Sequence, residues 1–409
     1  MFDVQQVRKD FPILDQEVFG HPLVYLDSAA TMQMPEQVLQ AIVGHYHTDN
    51  ANVHRGIHAL SERSTRALEN ARERVRAFIN AELADEIVFT SGTTASLNML
   101  ADMWARTAKP GSAVVTTMME HHANFVPWQQ ACERCGHTFL AAPLDERGDL
   151  DLNALEALLS RDEVSLLTVA HVSNVLGAVN PIDRIVELAH AHGVLVAIDA
   201  AQSIRHEPVD VRALDCDFLA FSGHKMGGPT GIGVLYGKMA ELEKLPPVRF
   251  GGEMVGDVRV SQTTFERPPL KFEAGTPNYV GAVGLAAAMD YLDHVGRADI
   301  HVYEHDLLEY AADRLFTIEG LEVLGNPEQR AGCLSFTVEG AHPFDIATLA
   351  DKLGVAFRSG NQCAQPLLYE AYDVQNITRL SPAFYNTRYE IDRAVEVLQR
   401  VISRIRAMS

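Results

Sequence analysis

FLAFSGHKMGGP, residues 218–229, runs an apolar segment into a cluster of small and polar residues that holds one lysine. A lysine is costly to bury as a cation. Lys225 is therefore either a turn residue facing solvent or an amine placed to react. If Phe218 to Ser222 is a core strand, Lys225 stands just past its carboxyl end. Open α/β sheets collect their ligands at that edge.

The segments around it support such a sheet. Strand-like runs are expected at Glu86 to Thr90, Ala113 to Thr116, Val164 to His171, Val194 to Asp199, Phe218 to Ser222 and Ile232 to Tyr236. Amphipathic stretches such as LNALEALLS and IDRIVELAHAHG lie between them, the second ending at Gly193, a good helix stop. Continuous apolar strands alternating with helices predict a largely parallel sheet. Near Pro246 the character changes: loops with Gly251, Gly252, Pro268, Pro269 and Gly275 lead into a helix-rich tail with a further apolar run, Gly332 to Thr337. That tail reads as a smaller α+β domain.

Composition narrows the function. With 409 residues, 47% hydrophobic, the chain can bury a large core and is long enough for two domains. A net charge of −20 opposes binding to nucleic-acid phosphates, and no basic block offsets it. No apolar run approaches the roughly 20 residues that span a bilayer, and the N-terminus, MFDVQQVRKDFPIL, lacks a secretory h-region. A cytoplasmic protein with no membrane partner is expected. Five cysteines fit a reducing compartment. The Cys132–Cys135 pair has no second pair at ligand spacing, so no metal site is expected.

Other strand ends carry polar residues. After EIVFT comes SGTTASLNML, where Thr93 and Thr94 open a helix whose free N–H groups and dipole suit a phosphate. TTMMEHHANFVPW places His121 and His122 past another strand. GVLVAIDAAQS ends a strand at Asp199, with Gln202 close behind. A buried acid needs a metal, an arginine or a protonated heterocyclic nitrogen as its partner. Taken together, a reactive lysine, a buried acid, a phosphate cradle and a flat imidazole match the needs of pyridoxal 5′-phosphate. That coenzyme takes a lysine for its Schiff base and an acid for its ring nitrogen.

On these motifs, joined by LVYLDSAAT, NVHRGIHALSERST, HVSNVLGAVNPI, FEAGTPN, RSGNQCAQPLL and SPAFYNT, the chain resembles a fold-type I pyridoxal-phosphate enzyme of the class V aminotransferase group. Within it, the chain resembles the SufS-like, group II cysteine desulfurases nearly end to end. The resemblance implies an α/β fold with a mainly parallel central sheet flanked by helices, plus a smaller α+β domain. Residues 1–28 would pack with the small domain, 29–290 would form the large coenzyme-binding domain, and 291–409 would form the small domain with the catalytic cysteine loop.

It also implies roles. Lys225 would carry the coenzyme and move the substrate's Cα proton, and His121 would stack on the ring and serve as acid or base. Asp199 would meet the ring nitrogen and Gln202 the phenolic oxygen. Thr93, Thr94, Ser222 and His224 would hold the phosphate, with Thr276 reaching that of the other subunit in a homodimer. Asn174, Arg358, Arg379 and His54 would serve the substrate, L-cysteine. A guanidinium suits a carboxylate, which it can grip with two parallel hydrogen bonds.

Cys363 lies among small and polar residues with Arg358 nearby, a setting that favours a reactive thiolate. By the resemblance it would take sulfur from L-cysteine as a persulfide, leave L-alanine, and pass the sulfur to a SufE-like or SufU-like acceptor for iron–sulfur cluster assembly. The chain departs from the family in two places. Asn361-Gln362 replaces a pair of histidines before the cysteine, and His342-Pro343-Phe344-Asp345 replaces an H-P-H-D run. A selenocysteine lyase on the same scaffold and a non-catalytic coenzyme-binding scaffold or regulator are the competing readings.

Overall fold

The structure, a computed structural model, describes residues 2–207 and 209–407. Its centre is a seven-stranded sheet. In spatial order the strands are Ile87–Thr90, Gly233–Gly237, Phe218–Ser222, Leu195–Asp199, Val164–Ala170, Ala113–Thr117 and Thr138–Ala142. Only Gly233–Gly237 runs against its neighbours; the rest are parallel. Parallel strands need cover on both faces, and the middle strands show it. Every residue of Phe218–Ser222 and of Ala113–Thr117 is buried.

The expected strands are present, with ends shifted by a residue or two. Glu86 falls in a short 3-10 turn before its strand, and His171 lies beyond the end of Val164–Ala170. Thr138–Ala142 was not expected. It is an edge strand, and although Phe139 to Ala142 form an apolar run, only Ala142 is fully buried. The helix Ile182–Ala191 stops where Gly193 adopts φ 70°. The Gly193 and Val194 amides then donate to the carbonyls of His190 and Ala189, which closes the helix end.

The tail builds a second, four-stranded antiparallel sheet, in the order Leu321–Val323, Leu334–Val338, Ile377–Leu380 and Arg358–Gly360. Helix Arg388–Arg406 covers it with a buried stripe of Ile391, Val395, Leu398 and Ile402. Each such side chain contributes about 1.5–3 kcal/mol on burial. Thr387 and Glu390 cap the helix reciprocally, the Thr387 amide donating to the Glu390 carboxylate at 2.8 Å and the Glu390 amide to the Thr387 hydroxyl at 3.3 Å. The N-terminal segment joins this unit: Val24–Tyr25 pairs in parallel with Val355–Ala356, and Val24 and Leu26 belong to the same apolar cluster.

Candidate active site

The carboxyl ends of the central strands converge on a cavity of about 200 Å³. Thr93, Thr94, His121, Asn174, Asp199, Gln202, Ser222, His224 and Lys225 line it from the central sheet's side. Arg358, Cys363 and Arg379 line it from the second sheet's side. His54, and Thr276, which was expected to serve the other subunit, do not line this chain's cavity. His54 is held outside by Glu69 at 3.1 Å and Glu253 at 3.8 Å. Thr276 is exposed on the surface of this single chain.

Lys225 closes a 3-10 turn, Gly223–Lys225, directly after the buried strand. Burial pushes its amine down to about 8, and Arg379 and Arg358 push the same way, against the pull of Asp199. The neutral, nucleophilic form is thus far more accessible than in an ordinary lysine. Asp199 ends the adjacent strand. Burial raises its carboxyl, which Lys225 and the Ala201 amide partly offset. That amide donates to Oδ1 at 2.8 Å, and no side chain among the described residues bonds the carboxylate.

Gly92 caps helix Thr93–Thr107 with φ 139°, and a Cβ there would meet Ser222 Oγ at 3.1 Å. The glycine lets the helix start against the strand end. Ser222 Oγ accepts the Thr93 amide at 2.8 Å and contacts the Thr93 hydroxyl at the same distance. A helix N-terminus, two threonines and a serine hydroxyl therefore meet at one corner of the cavity.

The two histidines do different things. His121 lines the cavity. Its Nδ1 accepts the Ala123 amide at 3.0 Å, so the proton of the neutral ring sits on Nε2. Burial, then Lys225 and other nearby cations, lower it to about 3. At neutral pH it is an uncharged plate with an N–H to offer. His122 instead anchors the cysteine loop. Its amide donates to the Cys363 carbonyl at 2.7 Å, and its Nε2 accepts the Gln365 amide at 3.1 Å. Behind them, Glu120 accepts from Thr117, Asn124 and the Ala170 amide, and burial pushes it up to about 7.

On the opposite wall, antiparallel register sets Arg358 directly beside Arg379. Asp27 pairs with both, at 3.8 Å and 3.2 Å. Arg379 also donates to the Asn174 carbonyl at 2.8 Å. Gln202 donates to the Ala29 carbonyl at 2.9 Å, and His224 Nδ1 lies 3.3 Å from the Thr31 hydroxyl. The N-terminal segment thus borders the cavity as well. Cys363 is partly exposed. Cys132, Cys216 and Cys333 are buried, and burial pushes the Cys132 thiol up to about 11 and raises the other two.

Sequence reasoning did not single out Asp27, Glu120 or the anchoring role of His122. Glu120 had a visible signal, an acid directly before the histidine pair. Asp27 had none, because its arginine partners come from the far end of the chain.

The aminotransferase class-V family model matches residues 24–394. This chain belongs to that family. A probable cysteine desulfurase of Halalkalibacterium halodurans is 47% identical, the match covering 97% of this chain and 98% of the relative. Among solved structures, the cysteine desulfurase CsdA from Escherichia coli superposes with a TM-score of 0.91 at 38% identity, covering 98% of this chain and 99% of that one. The apo cysteine desulfurase of Thermococcus onnurineus gives 0.92 at 36% identity, covering 98% of both chains. The coenzyme of class-V aminotransferases, pyridoxal 5′-phosphate, fits the donor set of this member. A lysine with a depressed amine, a carboxylate free of side-chain partners and a hydroxyl-lined helix N-terminus face one cavity.

Proposed function

We propose that this chain is a pyridoxal-phosphate-dependent cysteine desulfurase that converts L-cysteine to L-alanine and takes the sulfur onto Cys363 as a persulfide. The observation that carries the reading is a thiol from one domain lining the same cavity as the lysine and aspartate of the other. Transamination alone would need no such thiol. When bound, the coenzyme supplies an aldehyde that condenses with amines and a ring that takes up an electron pair.

The protein's residues supply the rest. Thr93, Thr94, Ser222 and His224 would hold the phosphate. Asp199 would keep a proton on the ring nitrogen, and Gln202 would serve the phenolic oxygen. Lys225 would hold the coenzyme covalently and, as a neutral amine, would move the substrate's Cα proton. His121 would serve the ring and offer its Nε2 hydrogen. Arg379, Asn174 and Arg358 orient the substrate. Cys363 attacks the substrate sulfur: an S–S bond forms as the C–S bond breaks, and the bonding pair stays with carbon. That carbon takes a proton and becomes the methyl group of alanine, which balances the proton lost from the Cys363 thiol. Thiol and lysine together give covalent catalysis at two points.

The finer assignment follows the same reading. The enzyme is SufS-like, works as a homodimer in the cytoplasm, and hands its sulfur to a SufE-like or SufU-like protein for iron–sulfur cluster assembly. Several features support it. Thr276 is exposed, as a residue serving a partner subunit would be, and the hairpin of Val255–Val258 and Thr263–Phe265 stands out from the surface. No helix among the described residues is long and apolar enough to cross a membrane.

The test is direct. Holoenzyme given L-cysteine forms alanine and a persulfide that maps to Cys363. Cys363→Ala keeps the coenzyme absorbance and loses persulfide formation. Full turnover by that variant would remove the thiol from the mechanism.

A further inference from the structure

Gln362 precedes the reactive thiol, and its amide is a costly thing to place where it is. The residue is 4% exposed and lines the cavity. Neither its Nε2 nor its Oε1 has a hydrogen-bond partner among the described residues. Buried amides are almost always paired, and leaving one unpaired destabilises the fold. Arg379, 2% exposed in the same cavity, likewise has an unpartnered Nε. Unpaired groups retained at a cost point to a ligand.

Building on the desulfurase reading, we propose that the Gln362 amide is a substrate-binding group, donating from Nε2 to the α-carboxylate of the incoming amino acid beside Arg379 Nε. The other buried donors next to Gln362 already have partners. Arg379 Nη1 bonds the Asn174 carbonyl, Nη2 bonds Asp27, and Asn174 Nδ2 bonds the Gln362 carbonyl at 2.8 Å. Arg379 Nε and Gln362 Nε2 are the buried donors without one, beside the half-exposed Arg358, whose ion pair to Asp27 is 3.8 Å long.

The backbone shows that the placement is imposed from outside the loop. Gln362 and Cys363 have φ of 51° and 56°, a region that side chains other than Gly rarely occupy, least of all twice in succession. Hydrogen bonds from Asn174 to the Gln362 carbonyl, from the Cys363 amide to Asn361 Oδ1 and from the His122 amide to the Cys363 carbonyl hold the strained turn. The ligand's charge follows from the lining. Arg358 and Arg379 repel a cation and favour a carboxylate.

Gln362→Met keeps the side-chain length and removes both polar atoms; Gln362→Glu removes the donor and adds a like charge. The probes are L-alanine and ethylamine, which lacks the carboxylate, titrated into holoenzyme by coenzyme absorbance. For Gln362→Met we expect the L-alanine Kd to rise about tenfold, the loss of one hydrogen bond to a charged group. Its ethylamine Kd and Tm should hold, or its Tm should rise as the unpaired amide disappears. Gln362→Glu should weaken L-alanine further, and the KM for L-cysteine should follow the same order with kcat less affected. Equal weakening of both probes, unchanged L-alanine binding, or a fall in Tm alongside lost binding would overturn the proposal. The two ideas fail separately. Absence of alanine from L-cysteine in the wild type defeats the desulfurase reading, whereas the probe comparison needs only amino-acid binding.

Discussion

On one side of the cavity, Asp199 and Ser222 end adjacent buried strands and Lys225 follows one turn later. On the other, Cys363 sits in a loop whose backbone is left-handed at consecutive residues, pinned by contacts to His122 and Asn174. The first wall is placed by the sheet. Each side chain's position follows from where its strand stops, and the strands are held by burial over nearly their whole length. The second wall is placed by tethers from the first. A coenzyme needs fixed partners for its phosphate and ring. A sulfur carrier must meet the substrate and afterwards an acceptor outside, and a tethered, partly exposed loop serves both ends.

Three measurements would break or sharpen that contrast. The largest effect should come from the sheet wall. Lys225→Ala should lower alanine formation by about 10³-fold or more and abolish borohydride trapping of the coenzyme. A variant that still trapped coenzyme at another lysine would move the centre of the site. A smaller effect should come from a tether. His122→Ala should lower sulfur transfer by about tenfold to a hundredfold through misplacement of Cys363, with coenzyme absorbance intact. Loss of the coenzyme instead would mean that His122 belongs to the first wall and that the two walls are not independent.

The smallest effect concerns the pH at which the lysine reacts. Because burial and the nearby arginines disfavour its ammonium, Lys225 should become neutral at lower pH than an exposed lysine. Competitive acetylation of coenzyme-free protein should then show Lys225 reactivity rising with pH through a midpoint at about 8. Exposed lysines should reach their midpoint at roughly 10.4. A Lys225 curve overlaying theirs would show that the sheet wall does not tune its amine.

The legibility of the site follows the same division. Asp199 and Lys225 could be read from the sequence because a polar residue ending an apolar run is a local signal. Thr93 and Thr94 could be read as a helix start for the same reason. The edge strand Thr138–Ala142 escaped because its apolar run, Phe139 to Ala142, is short and ends at once in Pro143, a pattern that does not separate a strand from a loop. His54 was expected near the substrate, yet Glu69 and Glu253 hold it elsewhere, and neither contact follows from spacing. Which of the paired histidines faces the cavity depended on the Ala123 amide and the Cys363 loop, and both contacts are tertiary.

The sequence by itself determined the strand–helix alternation, the lysine and acid at the strand ends, and the odd thiol among small residues. Hydrophobic periodicity and chain-stop residues act over a few positions and can be read one segment at a time. Only the tertiary structure decided that Arg358 stands beside Arg379, that Asp27 pairs with both, and that Gln362 carries an unpaired amide into the cavity. Those outcomes depend on sheet register and on contacts between segments hundreds of residues apart. Burial there sets the cost of every unpaired polar atom.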